Sequence, residues 1–264
     1  MEVSGRCAEI TTWFRNYSAS HLTGDFDADA NIELKSKHSQ RVATLASEIA
    51  RSLGLSPAEI ELAYLCGLLH DIGRFRQFKL YGSFVDNEST YHGSIGAEVF
   101  DATPVPGIEN PDEKAVIRAA IVNHGLLRVN PGLSDREQYF CNITRDADKA
   151  DIFKIVTEYY LQTQSRNPVI ELGLTPDGDI SPDVLRSFHE ASVVNKADMK
   201  SLDDFRILQL SWIFDINFEI TLKQIINAGY TDIIISSISN KQHIAGIKDK
   251  IQERVHQINQ HESI

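Results

Sequence analysis

Apolar residues recur at helical intervals along most of the chain. Between residues 36 and 53 they follow one another at spacings of three and one, which places them on one face of an amphipathic helix. Gly54 ends this helix, and Ser56-Pro57 opens the next, because Ser caps a helix and Pro suits its first turn. The pattern predicts helices over residues 36–53, 57–72, 110–123, 139–161, 206–226 and 244–258, with another starting at Ser181-Pro182.

The segment 230–238 departs from this pattern, because it is rich in Ile and Thr and is compatible with a strand. Helices are predicted on both sides of it, so we expect an all-α fold for the whole chain. Turn signals near residues 167 and 175–178 interrupt the regular helical pattern of the preceding residues. We therefore expect one domain over residues 1–161 and a mostly helical extension over residues 162–264 that packs on it, as a lid or as the surface of a homodimer.

The net charge argues against one class of partner. Lys and Arg total 26 against 37 Asp and Glu, which gives a formal net charge of −11. Binding to nucleic-acid polymers or anionic membranes depends on a basic surface, so neither partner is expected. A small phosphorylated substrate is compatible with this charge, because a few cationic side chains or a metal ion can reverse the field within one pocket.

The sequence contains no pattern typical of export or membrane insertion. Its longest apolar run, over residues 62–69, is too short to cross a bilayer. The first residues do not show a basic segment followed by an apolar run. The three cysteines are scattered, which suits neither a disulfide framework nor a cysteine-based zinc site. We therefore expect a cytoplasmic protein.

Several ionisable residues fall on the apolar faces of the predicted helices. They are His38, His70, His124 and Asp146, and Asp71 directly follows His70 near a helix end. A lone residue of this kind is often a hydrogen-bonded core residue, a cap or half of an ion pair. Burying each one separately would cost about 2–7 kcal/mol if uncompensated, whereas one shared cation would compensate several together. Because no cysteine takes part, the pattern favours one or two divalent ions of Mn, Fe, Ni or Zn, with Mg also compatible.

The segments around these residues resemble motifs of a known family. The first helix of the HD superfamily of metal-dependent phosphohydrolases is similar to HSQRVATLASEIARSLGL, its His-Asp helix to CGLLHDIGRF, and its closing Asp motif to RDADKADIF. The resemblance covers roughly residues 36–155 and leaves residues 162–264 unassigned. It implies the helical bundle of that superfamily and a metal-dependent hydrolase activity.

Two further segments, YHGSIGAEVF and AIVNHGL, resemble the branches of this superfamily that bind two metals in an H…HD…H…H…D pattern. The resemblance implies a first metal held by His38, His70, Asp71 and Asp146, with Asp71 bridging to a second metal held by His92 and His124.

The chain departs from the cyclic-dinucleotide phosphodiesterases of this superfamily at three points. Residues 123–125 read Asn-His-Gly where those proteins have a paired His motif, Arg74 stands where they have Lys, and their GYP signature is absent. These departures argue against cyclic-di-GMP as the substrate. They also leave the second metal one ligand short.

The function that we expect is hydrolysis of a phosphoester or phosphoanhydride in a small nucleotide-like substrate, by a water molecule that the metal activates at Asp71. Arg74 and Lys149, each about one turn from a predicted ligand, are the candidates for contacting the phosphate, and Arg41 is a third. Asp151 could orient a ligand, although the expectation for it is an exposed position on the helix.

Two other functions are compatible with the same residues. Some two-metal members of the superfamily are mixed-valent diiron oxygenases, and the ligand pattern would serve that chemistry as well. The chain could also be a nucleotide-sensing module with an inactive site. Hydrolysis is favoured over oxygen chemistry, because Arg74 and Lys149 suit an anionic phosphate.

Overall fold

The structure is a computed structural model that describes residues 4–87, 90–162, 171, 173–176 and 178–261. Its α-helices are α1 Gly5–Ala19, α2 Phe26–Ser52, α3 Pro57–Leu69, α4 Ile72–Tyr81, α5 His92–Ala102, α6 Pro111–Asn123, α7 Asp135–Leu161, α8 Pro182–His189, α9 Leu202–Ser211, α10 Glu219–Asn227, α11 Tyr230–Ser237 and α12 Ile244–His261. Over these described residues no β-strand forms, so the prediction of an all-α fold is confirmed. Within the same ranges, none of the helices combines the length and the apolar character that a bilayer span requires.

Three local predictions differ from the structure. Residues 230–238 do not form a strand, because Ile234, Ile235 and Ile238 are buried together on one side of α11, and such packing outweighs the β-propensity of Ile and Thr. The helix predicted over 206–226 is divided, since a short 3₁₀ turn and an extended stretch separate α9 from α10. Helix α2 begins ten residues before its predicted start, at the Asp25 side chain, which accepts a hydrogen bond from the Ala28 N–H.

The chain divides into two compact units, Met1–Asp151 and Ile152–Ile264, with the division inside α7. In the first unit, α3 packs closely on α2 at Gly67, where an added Cβ would meet the backbone of Val42 and Ala43 at 2.8–3.0 Å. Helices α4 and α5 approach as closely at Gly73, which leaves no space for a side chain. These two glycines let the junction between α3 and α4 lie directly against its neighbouring helices.

The second unit has a separate core. Its buried side chains come from the last turns of α7 and from residues 180–251, and include Phe153, Phe188 and Ile247. Asp204 on α9 holds the start of α8 by accepting hydrogen bonds from the backbone N–H and the hydroxyl of Ser181 at 2.7 and 2.8 Å. The predicted boundary between residues 161 and 162, and the predicted role of 162–264, remain predictions. Residues 163–170, 172 and 177, which include the turn predicted near residue 167, lie outside the described residues.

Candidate metal centre

The His-Asp pair lies at the junction of two helices. His70 directly follows the last residue of α3, and Asp71 directly precedes the first residue of α4. Asp71 stands in the position of a helix cap, but its side chain makes no capping hydrogen bond to α4. Its carboxylate, only 2% exposed as a residue, therefore points into the unit instead of stabilising the helix that it begins.

Four other helices bring ionisable side chains to the same place. His38 lies in the middle of α2, His92 is the first residue of α5, and His124 directly follows α6. Asp148 comes from α7. The histidines are all buried, so a group of polar side chains is enclosed by the helices of the first unit.

The two oxygens of Asp71 face two different sets of ligand atoms. Its Oδ2 lies 3.5 Å from His70 Nε2 and 3.8 Å from His38 Nε2. Its Oδ1 lies 3.4 Å from the Nε2 atoms of both His92 and His124. The groups that could hold an ion are His38–His70–Asp71, His70–His124–Asp148 and Asp71–His92–His124. Asp71 thus has the position of a bridging carboxylate between two adjacent sites.

All four histidines have the same orientation. In each ring, Nδ1 points away from the centre to an oxygen atom that can accept a hydrogen bond but cannot donate one. The partners of Nδ1 are Asp151 Oδ2 at 2.7 Å for His38, Gly67 O at 2.7 Å for His70, the Asp86 carboxylate at 2.9 Å for His92 and Ile121 O at 3.0 Å for His124. A neutral ring in such a contact carries its proton on Nδ1 and presents a lone pair at Nε2. The four Nε2 lone pairs therefore point at the centre, as in histidines that bind metals.

The centre is unfavourable without a cation. His92 Nε2 and His124 Nε2 are only 2.8 Å apart, so two lone pairs face each other. Three other atoms of the cluster, His38 Nε2, His70 Nε2 and Asp71 Oδ1, are buried and have no hydrogen-bond partner among the described residues. A buried polar atom without a partner costs about 1–3 kcal/mol. One or two divalent ions would remove all of these costs, so the residues present fit a metal centre.

Electrostatics keep His70, His92 and Asp71 in the protonation states that metals require. The pKa of His38 is instead raised, because the hydrogen bonds from its ring to Asp148 and Asp151 outweigh the effect of burial. Burial lowers the pKa of His70 to about 4 and, with the Arg74 guanidinium, lowers the pKa of His92 to about 3. Burial alone would raise the pKa of Asp71, but the charges of Lys35 and Arg74 help to hold that pKa well below its usual range. At neutral pH the two imidazoles are uncharged and the carboxylate is ionised.

The structure corrects one predicted ligand, because the carboxylate of α7 at the centre belongs to Asp148 rather than Asp146. Asp148 Oδ1 lies 3.0 Å from His38 Nε2 and 3.7 Å from His70 Nε2. Asp146 is also buried, but residues two apart on a helix point about 200° away from each other. The apolar stripe that carries Asp146 is not the face of α7 that meets the site, since that face carries the polar side chains of Asp148 and Asp151.

The orienting role of Asp151 was underestimated by the sequence analysis. Its side chain is 1% exposed rather than solvated, and it accepts the Nδ1 proton of His38. Arg41 pairs with the same carboxylate through Nε at 2.7 Å and a terminal nitrogen at 3.0 Å. The spacing of Asp148 and Asp151, three residues apart on one helix face, is the sequence signal that could have identified both.

Arg74 lies at the centre, but most of its hydrogen bonds are directed elsewhere. Its terminal nitrogens contact the Asp86 carboxylate at 3.1 and 3.3 Å, and one of them also contacts Gln77 and the backbone oxygen of Phe84. Only Nε faces Asp71, 3.4 Å from Oδ1. A contact between Arg74 and substrate stays a prediction, as does one for Lys149, which is buried on α7 beside Asp148.

Two residues that the sequence analysis did not select complete the surroundings. Lys35 Nζ lies 2.8 Å from Asp71 Oδ2. Asp86 accepts hydrogen bonds from the ring and the backbone N–H of His92. Lys35 precedes the predicted helix start at residue 36, and Asp86 lies outside the helices, so periodicity gave no reason to choose them.

Comparison with known proteins agrees with this geometry. The family model for the HD domain matches residues 36–155, a segment that contains all six side chains of the centre. No curated protein and no solved structure matches significantly. Residues 36–155 are therefore an HD domain, the helical domain of a superfamily of metal-dependent hydrolases.

Proposed function

We propose that this chain hydrolyses a phosphoester or phosphoanhydride bond of a small nucleotide-like substrate at a two-metal centre. The observation that carries the proposal is the arrangement around Asp71, with two Nε2 atoms within 3.8 Å of one carboxylate oxygen and two within 3.4 Å of the other. Two-metal sites of phosphatases and nucleases hold their ions about 3.5–4 Å apart, a separation that a bridging carboxylate can span.

Each side of the proposed centre has its own ligands. His38, His70 and Asp148 would hold one ion, and His92 and His124 the other, with Asp71 shared between them. A divalent ion bound there would lower the pKa of a coordinated water towards about 7, which makes hydroxide available at neutral pH. The donor set contains imidazole and carboxylate without thiolate, which suits Mn, Fe, Ni or Zn.

The surrounding residues keep the ligands oriented. Asp151 and Asp86 accept the Nδ1 protons of His38 and His92, so each of these rings can turn only at the cost of a charged hydrogen bond. Arg41 and Arg74 in turn pair with these two carboxylates. Ligands that are held by such hydrogen bonds and ion pairs favour a preorganised metal site over a loosely held ion.

Cationic side chains favour an anionic substrate over a neutral one. Lys35 and Arg74 both approach Asp71, one from each oxygen. A phosphoryl group that enters the centre would meet these charges together with those of the ions.

The test is phosphate release from a panel of nucleotides and dinucleotides with Mn²⁺, together with the metal content of the protein by elemental analysis. For the wild type we expect two ions per chain and turnover of at least one compound. Asp71→Ala is expected to abolish both, with the helical circular dichroism retained. The control is Asp101→Ala, which removes a half-exposed carboxylate on α5 that pairs with Arg118.

Retention of turnover by Asp71→Ala would overturn the assignment of the centre. Iron-dependent oxygen consumption with a phosphonate or polyol, without phosphate release, would instead favour the diiron oxygenase chemistry. A wild-type protein that binds nucleotide but neither binds metal nor hydrolyses the panel would favour a sensing module.

A further inference from the structure

We propose that Lys35 is the side chain that binds the anionic group of the substrate at this centre. The inference rests on the proposed function, and it assigns to Lys35 the role that the sequence analysis gave to Arg74 and Lys149. Four features of the described residues support it: the position of the ammonium group, its access to solvent, the engagement of Arg74 and the charge of the oxygen that the ammonium contacts.

The ammonium group of Lys35 lies inside the cluster of ligand atoms. Its Nζ is 2.8 Å from Asp71 Oδ2, the oxygen that faces His38 and His70. Lys35 precedes His38 by three residues on α2, so both side chains leave the same face of the helix. Lys35 therefore reaches the centre from the same face of α2 as His38.

Lys35 also connects the centre with solvent. Its side chain is 21% exposed, whereas the Asp71 side chain beneath it is 3% exposed. The ring of Phe84 lies beside the ammonium group, 5.7 Å from Nζ to the ring centroid. A ligand that enters from the exposed side would meet this ammonium group before it met the buried carboxylate.

Arg74 is less suited to the same task. Its two terminal nitrogens contact the Asp86 carboxylate, and that carboxylate orients His92. A movement of the guanidinium towards a ligand would break these charged hydrogen bonds and release the His92 ring. Lysine carries its charge on a flexible four-carbon stem, so Lys35 can move from Asp71 to a ligand without releasing a histidine ring of the centre.

The oxygen that Lys35 contacts is one that a divalent ion would also use. An ammonium group and a divalent cation near the same carboxylate oxygen repel each other, and the carboxylate carries too little charge for both. An anionic group beside them relieves this repulsion and gains a charge-assisted hydrogen bond from the ammonium. We therefore expect Lys35 to pair with Asp71 in the metal-free chain and with a phosphoryl oxygen in the loaded protein.

The experiment compares Lys35→Met with Lys37→Met, which removes a two-thirds-exposed lysine on the same helix that pairs with Glu33. Each protein is loaded with Mn²⁺, its metal content is measured, and inorganic phosphate is titrated into it by calorimetry. We expect Lys35→Met to keep its metal and to bind phosphate at least about tenfold more weakly, the contribution of one charged hydrogen bond. Lys37→Met is expected to match the wild type.

Two more variants test whether a loss of phosphate affinity comes from the lost charge or from misfolding. Lys35→Gln keeps a polar side chain next to Asp71 without the charge, and it is expected to lose phosphate affinity as Lys35→Met does. Lys35→Arg keeps the charge and is expected to recover part of the affinity. Circular dichroism and the melting temperature report whether each variant is folded.

The failures of the two proposals can be distinguished. If the loaded wild type binds phosphate and folded Lys35→Gln binds it equally well, the inference about Lys35 is wrong and the proposed function stands. Loss of metal from the Lys35 variants would show that the residue supports the ligands instead of the substrate. If the loaded wild type does not bind phosphate at all, the proposed function fails and this inference fails with it.

Discussion

The orientation of His92 allows a quantitative test of the two-metal centre. Both oxygens of Asp86 lie 2.9 Å from His92 Nδ1, and one of them also accepts the His92 backbone N–H at 3.0 Å. Asp86→Asn keeps the size of this side chain but removes its charge and one acceptor atom. The ring of His92 then loses the carboxylate that holds its proton on Nδ1 and its lone pair towards the centre.

Loss of such an orienting partner lowers metal affinity by about 10- to 100-fold, which corresponds to about 1.4–2.8 kcal/mol. In a calorimetric titration with Mn²⁺ we expect the ion held by His92 and His124 to bind more weakly by this factor. The ion held by His38 and His70 is expected to keep its affinity, because Asp151 orients His38 independently.

The matched control is Asp101→Asn, the same change at a surface carboxylate that is 50% exposed. A surface ion pair contributes about 0–1 kcal/mol to stability, so this variant is expected to bind both ions normally. Unchanged affinity for both ions in Asp86→Asn would refute the argument that the hydrogen bond to Nδ1 prepares His92 for a metal.

Three further predictions concern packing and burial. Gly73→Ala is expected to lower the free energy of unfolding, measured in urea, by more than about 2 kcal/mol, because the added Cβ would collide with the backbone of α5. Gly5 has open space around it, so Gly5→Ala is expected to change the free energy of unfolding by less than about 0.5 kcal/mol. Phe188→Ala in the core of the second unit is expected to lower the free energy of unfolding by about 3–5 kcal/mol. Phe26 is 86% exposed, so Phe26→Ala is expected to change it very little. Equal losses in the two variants would contradict the assignment of Phe188 to a packed core. Burial raises the pKa of the Cys66 thiol well above its usual value. We therefore expect Ellman's reagent at pH 8 to modify Cys66 far more slowly in the native protein than in urea. Equal rates would show that the thiol is accessible in the native protein.

Apolar periodicity and cap signals located most of the longer helices, but they did not predict α1, α4 or α5. Helix α3 has a Ser56 capping box and Pro57 at its start, and these local signals act within one turn. Helix α5 begins at His92 without a side-chain cap, and α4 begins directly after the His-Asp pair, so neither start has a local signal that the sequence displays. These helices depend on contacts with neighbouring helices, such as the one at Gly73.

The sequence by itself determined the all-α fold class, the HD motif and the kinds of ligand atom at the centre. These follow from spacing within single helices, and His38, His70 and Asp71 accordingly lie together in the structure. Only the tertiary structure decided that Asp148 and not Asp146 meets them, because the face of α7 turned to the site depends on how that helix packs against α2 and not on its own hydrophobicity. The roles of Lys35 and Asp86 were also decided there, since each reaches its partner from a different helix or loop, and sequence spacing carries no information about distances between elements that packing alone brings together.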